Sequence, residues 1–234
     1  MSIDRGVVHK MFTMADNFEA SCDKRAIFLY CYGMMTDNML EAIDQGRFHD
    51  NRWVFELLHR FADYYFDSLD RYNAQVNAPK VWEEVFKAAT DPQLHVIQHL
   101  LLGINAHINY DLVLTLYDVL SPEWDRLSEN ERNSRYQDHC LVNTIIGQTI
   151  DKVQDELVEK YAPGMKLLDS LMGRLDEFFL LKIIEDWRDD VWNHTMNLLG
   201  NHDSVTRTAF IMELERKVVK RSDTLDTHII IWKQ

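Results

Sequence analysis

Hydrophobic positions recur at steps of three and four residues along most of this chain, which is the period of an amphipathic α-helix. Clear helical stretches cover residues 23–43 and 51–73, and others begin at Pro79, Ser128 and Asp203. The alternation typical of a β-strand is absent before the tail, whose β-branched residues fit either a strand-like arm or an ordered closing segment. We therefore predict an all-α fold, a compact bundle of seven to nine helices.

Residues 91–122 differ from the other predicted helices because they are apolar on nearly every side. A helix of this kind is enclosed by other helices, so we predict a long central helix from Pro92 to about Leu120. It nevertheless carries several polar side chains, His95, Gln98, His99, Asn105, His107, Asn109 and Asp111. An unpaired buried polar group costs about 1 to 3 kcal/mol, so these residues need protein partners, a ligand or a metal.

The polar residues of the central helix fall into two groups when they are placed at about 100° per residue. One group contains His107 and Asp111, and the other contains His95, Gln98, Asn105 and Asn109. Gly103 lies between the groups, in a run rich in Leu and Ile, where glycine costs about 1 kcal/mol relative to alanine. Its presence predicts that another backbone or a ligand comes close.

The run L-L-G-I-N-A-H-I-N-Y-D-L at residues 101–112 resembles the hallmark of a bacterial family of all-helical proteins known only as a domain of unknown function. Shorter matches extend this resemblance over roughly residues 20–160, among them R-A-I-F-L-Y at 25–30 and P-K-V-W at 79–82. The resemblance implies a shared fold and a shared site. It implies no particular activity.

The spacing H-x-x-x-D occurs twice, once in the central helix and once in the predicted helix over residues 51–73. An imidazole and a carboxylate four residues apart face the same way on a helix, and helical proteins use this arrangement to bind zinc or iron. We therefore name six candidate ligands of a divalent metal, zinc or iron: His107, Asp111, His99, His59, Asp63 and His139. At each position the alternative is an ordinary hydrogen-bonded core residue or a solvated surface residue.

Asn105 and Asn109 are candidate catalytic residues, because a side-chain amide both donates and accepts hydrogen bonds and can orient a substrate carbonyl or hydroxyl. The alternative is that these two residues, together with Gln98, join two helices through a buried polar network.

Composition and charge limit the classes of partner. With 234 residues, 46% of them hydrophobic, and no Pro/Gly/Ser-rich linker, we predict a single domain over residues 1–234, with an N-terminal arm at 1–20 and a C-terminal tail at 222–234. A net charge of −13 argues against nucleic acid and anionic membrane surfaces as partners. The three cysteines show no C-x-x-C spacing, and we find neither a secretory signal nor a long apolar run, so we expect a cytoplasmic protein.

Two functional hypotheses follow. The first is a helical hydrolase that depends on a divalent metal, with His107 and Asp111 as ligands and a metal-bound water as nucleophile. Its spacing is loosely similar to that of the all-helical zinc phospholipase C and nuclease family, but the chain lacks that family's N-terminal ligand tryptophan and its H-x-x-x-E pair. The second is a non-catalytic helical module with a structural polar network, which binds a small molecule.

Overall fold

The computed structural model of the protein describes residues 3–161 and 174–228 and confirms the all-α prediction. Nine α-helices occur in the described residues: α1 Gly6–Ala20, α2 Arg25–Asp44, α3 Asn51–Asn73, α4 Lys80–Ala88, α5 Val96–Ala106, α6 Leu112–Leu120, α7 Glu129–Tyr161, α8 Arg174–Gly200 and α9 Ser204–His228. A π-helical segment, His107–Asp111, joins α5 to α6, and a short 3-10 helix covers Trp124–Arg126. None of the described helices combines the length and apolar character that a membrane crossing requires.

Several helix ends lie where capping residues stand in the sequence. The Asp50 side chain accepts the Trp53 backbone N–H at 3.0 Å and so caps the first turn of α3. At the start of α7, the Ser128 backbone N–H donates to Glu131 Oε2 at 2.7 Å and the Glu131 backbone N–H donates to Ser128 Oγ at 3.4 Å, the reciprocal contacts of a capping box. After α2, Gly46 takes a φ of +69°, the left-handed conformation in which glycine ends a helix without strain.

The central helix of the sequence prediction is the continuous unit formed by α5, the π segment and α6. It contacts α2, α3, α4, α8 and α9, so helices surround it. Ala106, Val113 and Leu116 on this unit are completely buried. Burial on all sides explains why this stretch is apolar all round, and the predicted buried central helix is confirmed.

The start of the central helix differs from the prediction. Pro92 lies in a turn, and α5 begins at Val96. The Asp91 side chain accepts the Gln93 backbone N–H at 2.8 Å, a local turn that competes with a helix. The His95 N–H instead donates to Gln98 Oε1 at 3.0 Å, so that the helix is capped three residues later than Pro92.

Helices lie near both ends of the described residues. The predicted N-terminal arm contains α1, whose Val8, Met11 and Ala15 are buried. At the other end α9 continues to His228, past the predicted start of the tail at residue 222, because Ser222 is still buried and hydrogen-bonded. Residues 229–234 of the predicted tail lie outside the described residues.

Candidate functional site

The site is centred on a hydrogen-bonded pair in the π segment. His107 Nδ1 lies 2.8 Å from Asp111 Oδ2, and the Trp82 indole N–H donates to the same oxygen at 2.9 Å. Asp111 is completely buried, and His107 retains 3% of its exposure. The pair therefore joins the central helix to α4 inside the core.

The π segment is a local departure from α geometry that the sequence pattern did not predict. The Asp111 backbone carbonyl accepts the Thr115 hydroxyl at 2.8 Å, one turn further on. A single π turn inside an α-helix is rare and occurs frequently at functional sites. Its position, from His107 to Asp111, coincides with the residues that the sequence indicated for chemistry.

Burial controls the protonation of the pair. Removal from water lowers the pKa of His107 well below its usual value. Burial likewise raises the pKa of Asp111 well above its usual value, and the hydrogen bond from Trp82 opposes this only in part. Both shifts favour the uncharged form of the group concerned.

Aromatic rings enclose the His107 imidazole. The Phe61 ring stacks on it with a centroid distance of 3.6 Å and an interplanar angle of 9°, and the Tyr32 ring approaches to 4.3 Å. Three further rings lie with centroids between 5.7 and 6.4 Å from it, those of Phe28, Trp82 and Tyr65. These rings come from α2, α3 and α4. The sequence did not predict that they meet, because the periodicity of a helix does not show which rings from different helices come together.

Several buried polar atoms have no hydrogen-bond partner within the described residues. They include His107 Nε2 and Asp111 Oδ1 of the pair, Tyr32 Oη and Tyr65 Oη of the rings around it, and His99 Nε2 in α5. Each such atom costs about 1 to 3 kcal/mol relative to a satisfied one. Native proteins contain few of them, and this set needs a specific explanation such as a bound molecule.

A small cleft reaches the outer part of this region, and we call it the Tyr65–His99 cleft. It lies between α2, α3, α4 and α5 and encloses about 10 Å³, which is room for about one water molecule. Its lining includes two basic residues beside aromatic and imidazole groups: Lys24, Arg25, Phe28, Tyr65, Trp82, Phe86 and His99. Two of these unpartnered atoms, Tyr65 Oη and His99 Nε2, thus belong to residues that line the cleft.

Asn105 and Asn109 form the second polar group of the central helix. The Asn105 amide donates to the Val218 carbonyl at 3.1 Å and to the Ser222 hydroxyl at 3.0 Å. Asn109 in turn donates to Asn105 Oδ1 at 3.0 Å. These hydrogen bonds join the central helix to α9. A catalytic role for the two amides stays a prediction.

The other predicted metal ligands do not gather around His107 and Asp111. The half-buried His59 packs against the Phe55 ring at 4.2 Å, and Asp63 is exposed on the same helix. His139 interacts through Nε2 with a backbone carbonyl of α8 at 3.0 Å. Within residues 3–161 and 174–228, no group of three or more His, Cys, Asp or Glu residues could hold a metal ion. A divalent metal stays a prediction.

The environment of His139 contains a buried cation that sequence reasoning missed. Arg188 retains 5% exposure and donates to Asn143 Oδ1 at 2.6 Å and to the His139 carbonyl at 2.7 Å. Burial lowers the pKa of Arg188 to about 10, and burial with the Arg188 charge lowers that of His139. The sequence offered no indication of this contact, which links residues far apart in the chain.

Comparison with known proteins identifies the family to which the chain belongs. No curated protein and no solved structure matches the chain. A family model described as a family of unknown function, DUF5995, matches residues 5–228. The match extends beyond the region 20–160 in which the sequence resembled a helical domain of unknown function. The chain therefore belongs to the DUF5995 family.

Proposed function

We propose that this protein is a non-catalytic helical module that binds a small molecule in the Tyr65–His99 cleft. The observation that carries the proposal is that Tyr65 Oη and His99 Nε2 are buried without a described partner, although both residues line the same cleft. Polar atoms of a ligand in the cleft would satisfy these two groups, each of which otherwise weakens the fold.

The His107–Asp111 pair in the π segment contacts the cleft through Trp82. Trp82 forms one wall, and its indole N–H is held by Asp111, which is held in turn by His107. A buried hydrogen bond fixes the orientation of a ring more tightly than packing alone, because the ring cannot rotate without losing it. In this proposal His107 and Asp111 are positioning residues.

The hydrolase hypothesis has less support from the geometry. A catalytic zinc site uses three protein ligands around one ion. Here one Asp111 oxygen is already occupied by two neighbours, and the other candidates among the described residues lie elsewhere. The buried pair is therefore better suited to hold a wall of a binding site in place than to form the centre of a metal site.

A comparison of two adjacent tyrosines tests whether the Tyr65 hydroxyl is unpartnered. We expect Tyr65→Phe to leave the free energy of unfolding of the ligand-free protein unchanged or to raise it by about 1 kcal/mol, because an unpaired buried hydroxyl is removed. Tyr64→Phe is the matched control, since the Tyr64 hydroxyl donates to Asp118 Oδ2 at 2.8 Å. We expect the control to lose about 1 kcal/mol in urea unfolding followed by circular dichroism.

The opposite result is equally informative. If Tyr65→Phe costs as much stability as Tyr64→Phe, the Tyr65 hydroxyl has a structural partner such as a permanently bound water. The proposed cleft would then lose one of the two groups on which it depends.

A further inference from the structure

A second and larger cavity lies between the end of α2 and the middle of α7, and we call it the Glu41–Arg47 groove. Its volume is about 190 Å³, whereas an engineered core cavity of about 150 Å³ already holds benzene. It shares no lining residue with the Tyr65–His99 cleft. Six polar side chains line it: Asn38, Glu41, Gln45, Arg47, Gln148 and Thr149.

The turn that ends α2 brings Arg47 to this groove. Gly46 has a φ of +69°, and its N–H donates to the Ile43 carbonyl at 3.0 Å. The Arg47 N–H donates to the Ala42 carbonyl at 3.1 Å. This pair of hydrogen bonds folds the chain back onto the last turn of the helix. The Arg47 backbone therefore lies against Ala42, the residue next to Glu41, and the two charged residues border the same groove.

The groove contains one guanidinium and one carboxylate, and a neutral amide holds each of them. Arg47 Nη1 donates to Gln148 Oε1 on α7 at 3.0 Å. Glu41 Oε1 accepts a hydrogen bond from Gln45 Nε2 at 3.1 Å. Among the described residues, neither Glu41 nor Arg47 forms an ion pair, and both side chains are exposed. Each can therefore form a charge-assisted contact with a ligand of the opposite charge.

The other side chains of the groove are polar and uncharged. Asn38 is half-buried, and no hydrogen bond joins its side chain to another described residue. Gln148 is exposed, and its contact with Arg47 uses the amide oxygen, which leaves the amide N–H groups for other partners. Side-chain amides both donate and accept hydrogen bonds. They are therefore suited to an uncharged polar group of a ligand.

From these observations we propose that the Glu41–Arg47 groove binds a free amino acid with an uncharged polar side chain. The α-carboxylate contacts Arg47, the α-ammonium group contacts Glu41, and the side chain bonds the amides of Asn38 and Gln148. A zwitterion matches a groove with one charge of each sign, whereas a singly charged ligand leaves one of the two protein charges unmatched.

Three probes of similar size separate the two charges. They are L-glutamine, L-glutaminamide, which lacks the carboxylate, and glutaramate, which lacks the ammonium group. Dissociation constants come from chemical-shift titrations of the nitrogen-labelled wild-type protein. We expect L-glutamine to bind at least about fivefold more tightly than either analogue, a modest ratio because water screens charges in an open groove.

Single substitutions assign each charge to its partner. Arg47→Met should reduce the preference for L-glutamine over L-glutaminamide to less than about twofold, and Glu41→Gln should do the same for the preference over glutaramate. Arg52→Met and Glu56→Gln are the matched controls, since they change an exposed ion pair of 3.0 Å on α3 that does not line the groove. We expect both preferences to persist in these controls. Circular dichroism shows which variants are folded, and either folded groove variant suffices.

Three results overturn the proposal. The first is equal affinity for the three probes, and the second is a set of preferences that survives in folded Arg47→Met and Glu41→Gln proteins. The third is a lack of saturable L-glutamine binding up to about 10 mM. None of them affects the proposed function, because the two sites have no lining residue in common.

Discussion

Gly103→Ala should lower the free energy of unfolding by about 3 kcal/mol or prevent folding, because the added methyl group enters a packed core. A Cβ atom at this position would lie 2.4 Å from two carbon atoms of the Phe28 side chain. The Phe28 ring cannot move away easily, since it packs against Tyr65 at 5.6 Å and Trp82 at 5.7 Å. The measurement is urea unfolding followed by circular dichroism.

Gly200→Ala is the matched control, because a Cβ atom there meets nothing within 4 Å. We expect this control to change stability by less than about 0.5 kcal/mol. If Gly103→Ala is tolerated as well as the control, Phe28 is free to shift, and the wall that it forms in the Tyr65–His99 cleft is not fixed.

Asp111→Leu should cost about 3 kcal/mol of stability, because the change leaves the Trp82 indole N–H and His107 Nδ1 buried without an acceptor or donor. His107→Leu should cost less, since Asp111 keeps its bond from Trp82. The double variant should be more stable than the sum of the single changes predicts, by at least about 1 kcal/mol, because each single change already breaks the bond between the two residues.

His59 and Asp63 provide the control for this cycle. They have the same H-x-x-x-D spacing, but neither hydrogen-bonds the other, and Asp63 is exposed. Their double replacement should be additive within about 0.5 kcal/mol. Additive effects at His107 and Asp111 would mean that the 2.8 Å contact between them does not stabilise the protein. The proposal that His107 and Asp111 together hold Trp82 in place would then be wrong.

The helices were predictable because local residues determine them. Asp50 and Ser128 cap α3 and α7 through contacts within three residues, which a sequence shows directly. The pairing of His107 with Asp111 and of Asn105 with Asn109 was predictable for the same reason, since residues four apart on a helix are neighbours. Pro92 shows the limit, because a turn at Asp91 and a helix starting at Pro92 fit the same residues.

The site around these pairs was not predictable because it depends on contacts between distant helices. Trp82 reaches Asp111 from α4, and Phe61 stacks on His107 from α3. Helical periodicity identifies each ring as buried but does not tell which neighbour it meets. The cleft beside Tyr65 and His99 is likewise a property of four helices packed together. Gly103 did indicate a close approach, although the neighbour is the Phe28 side chain and not a backbone.

The central claim is that the Tyr65–His99 cleft binds a small molecule, and crystallographic fragment screening of the wild-type protein tests it most directly. We predict that bound fragments concentrate in this cleft, each with a polar atom about 3 Å from Tyr65 Oη or His99 Nε2. A screen in which fragments bind only elsewhere on the protein, while both atoms bond ordered water in every crystal, would contradict the claim.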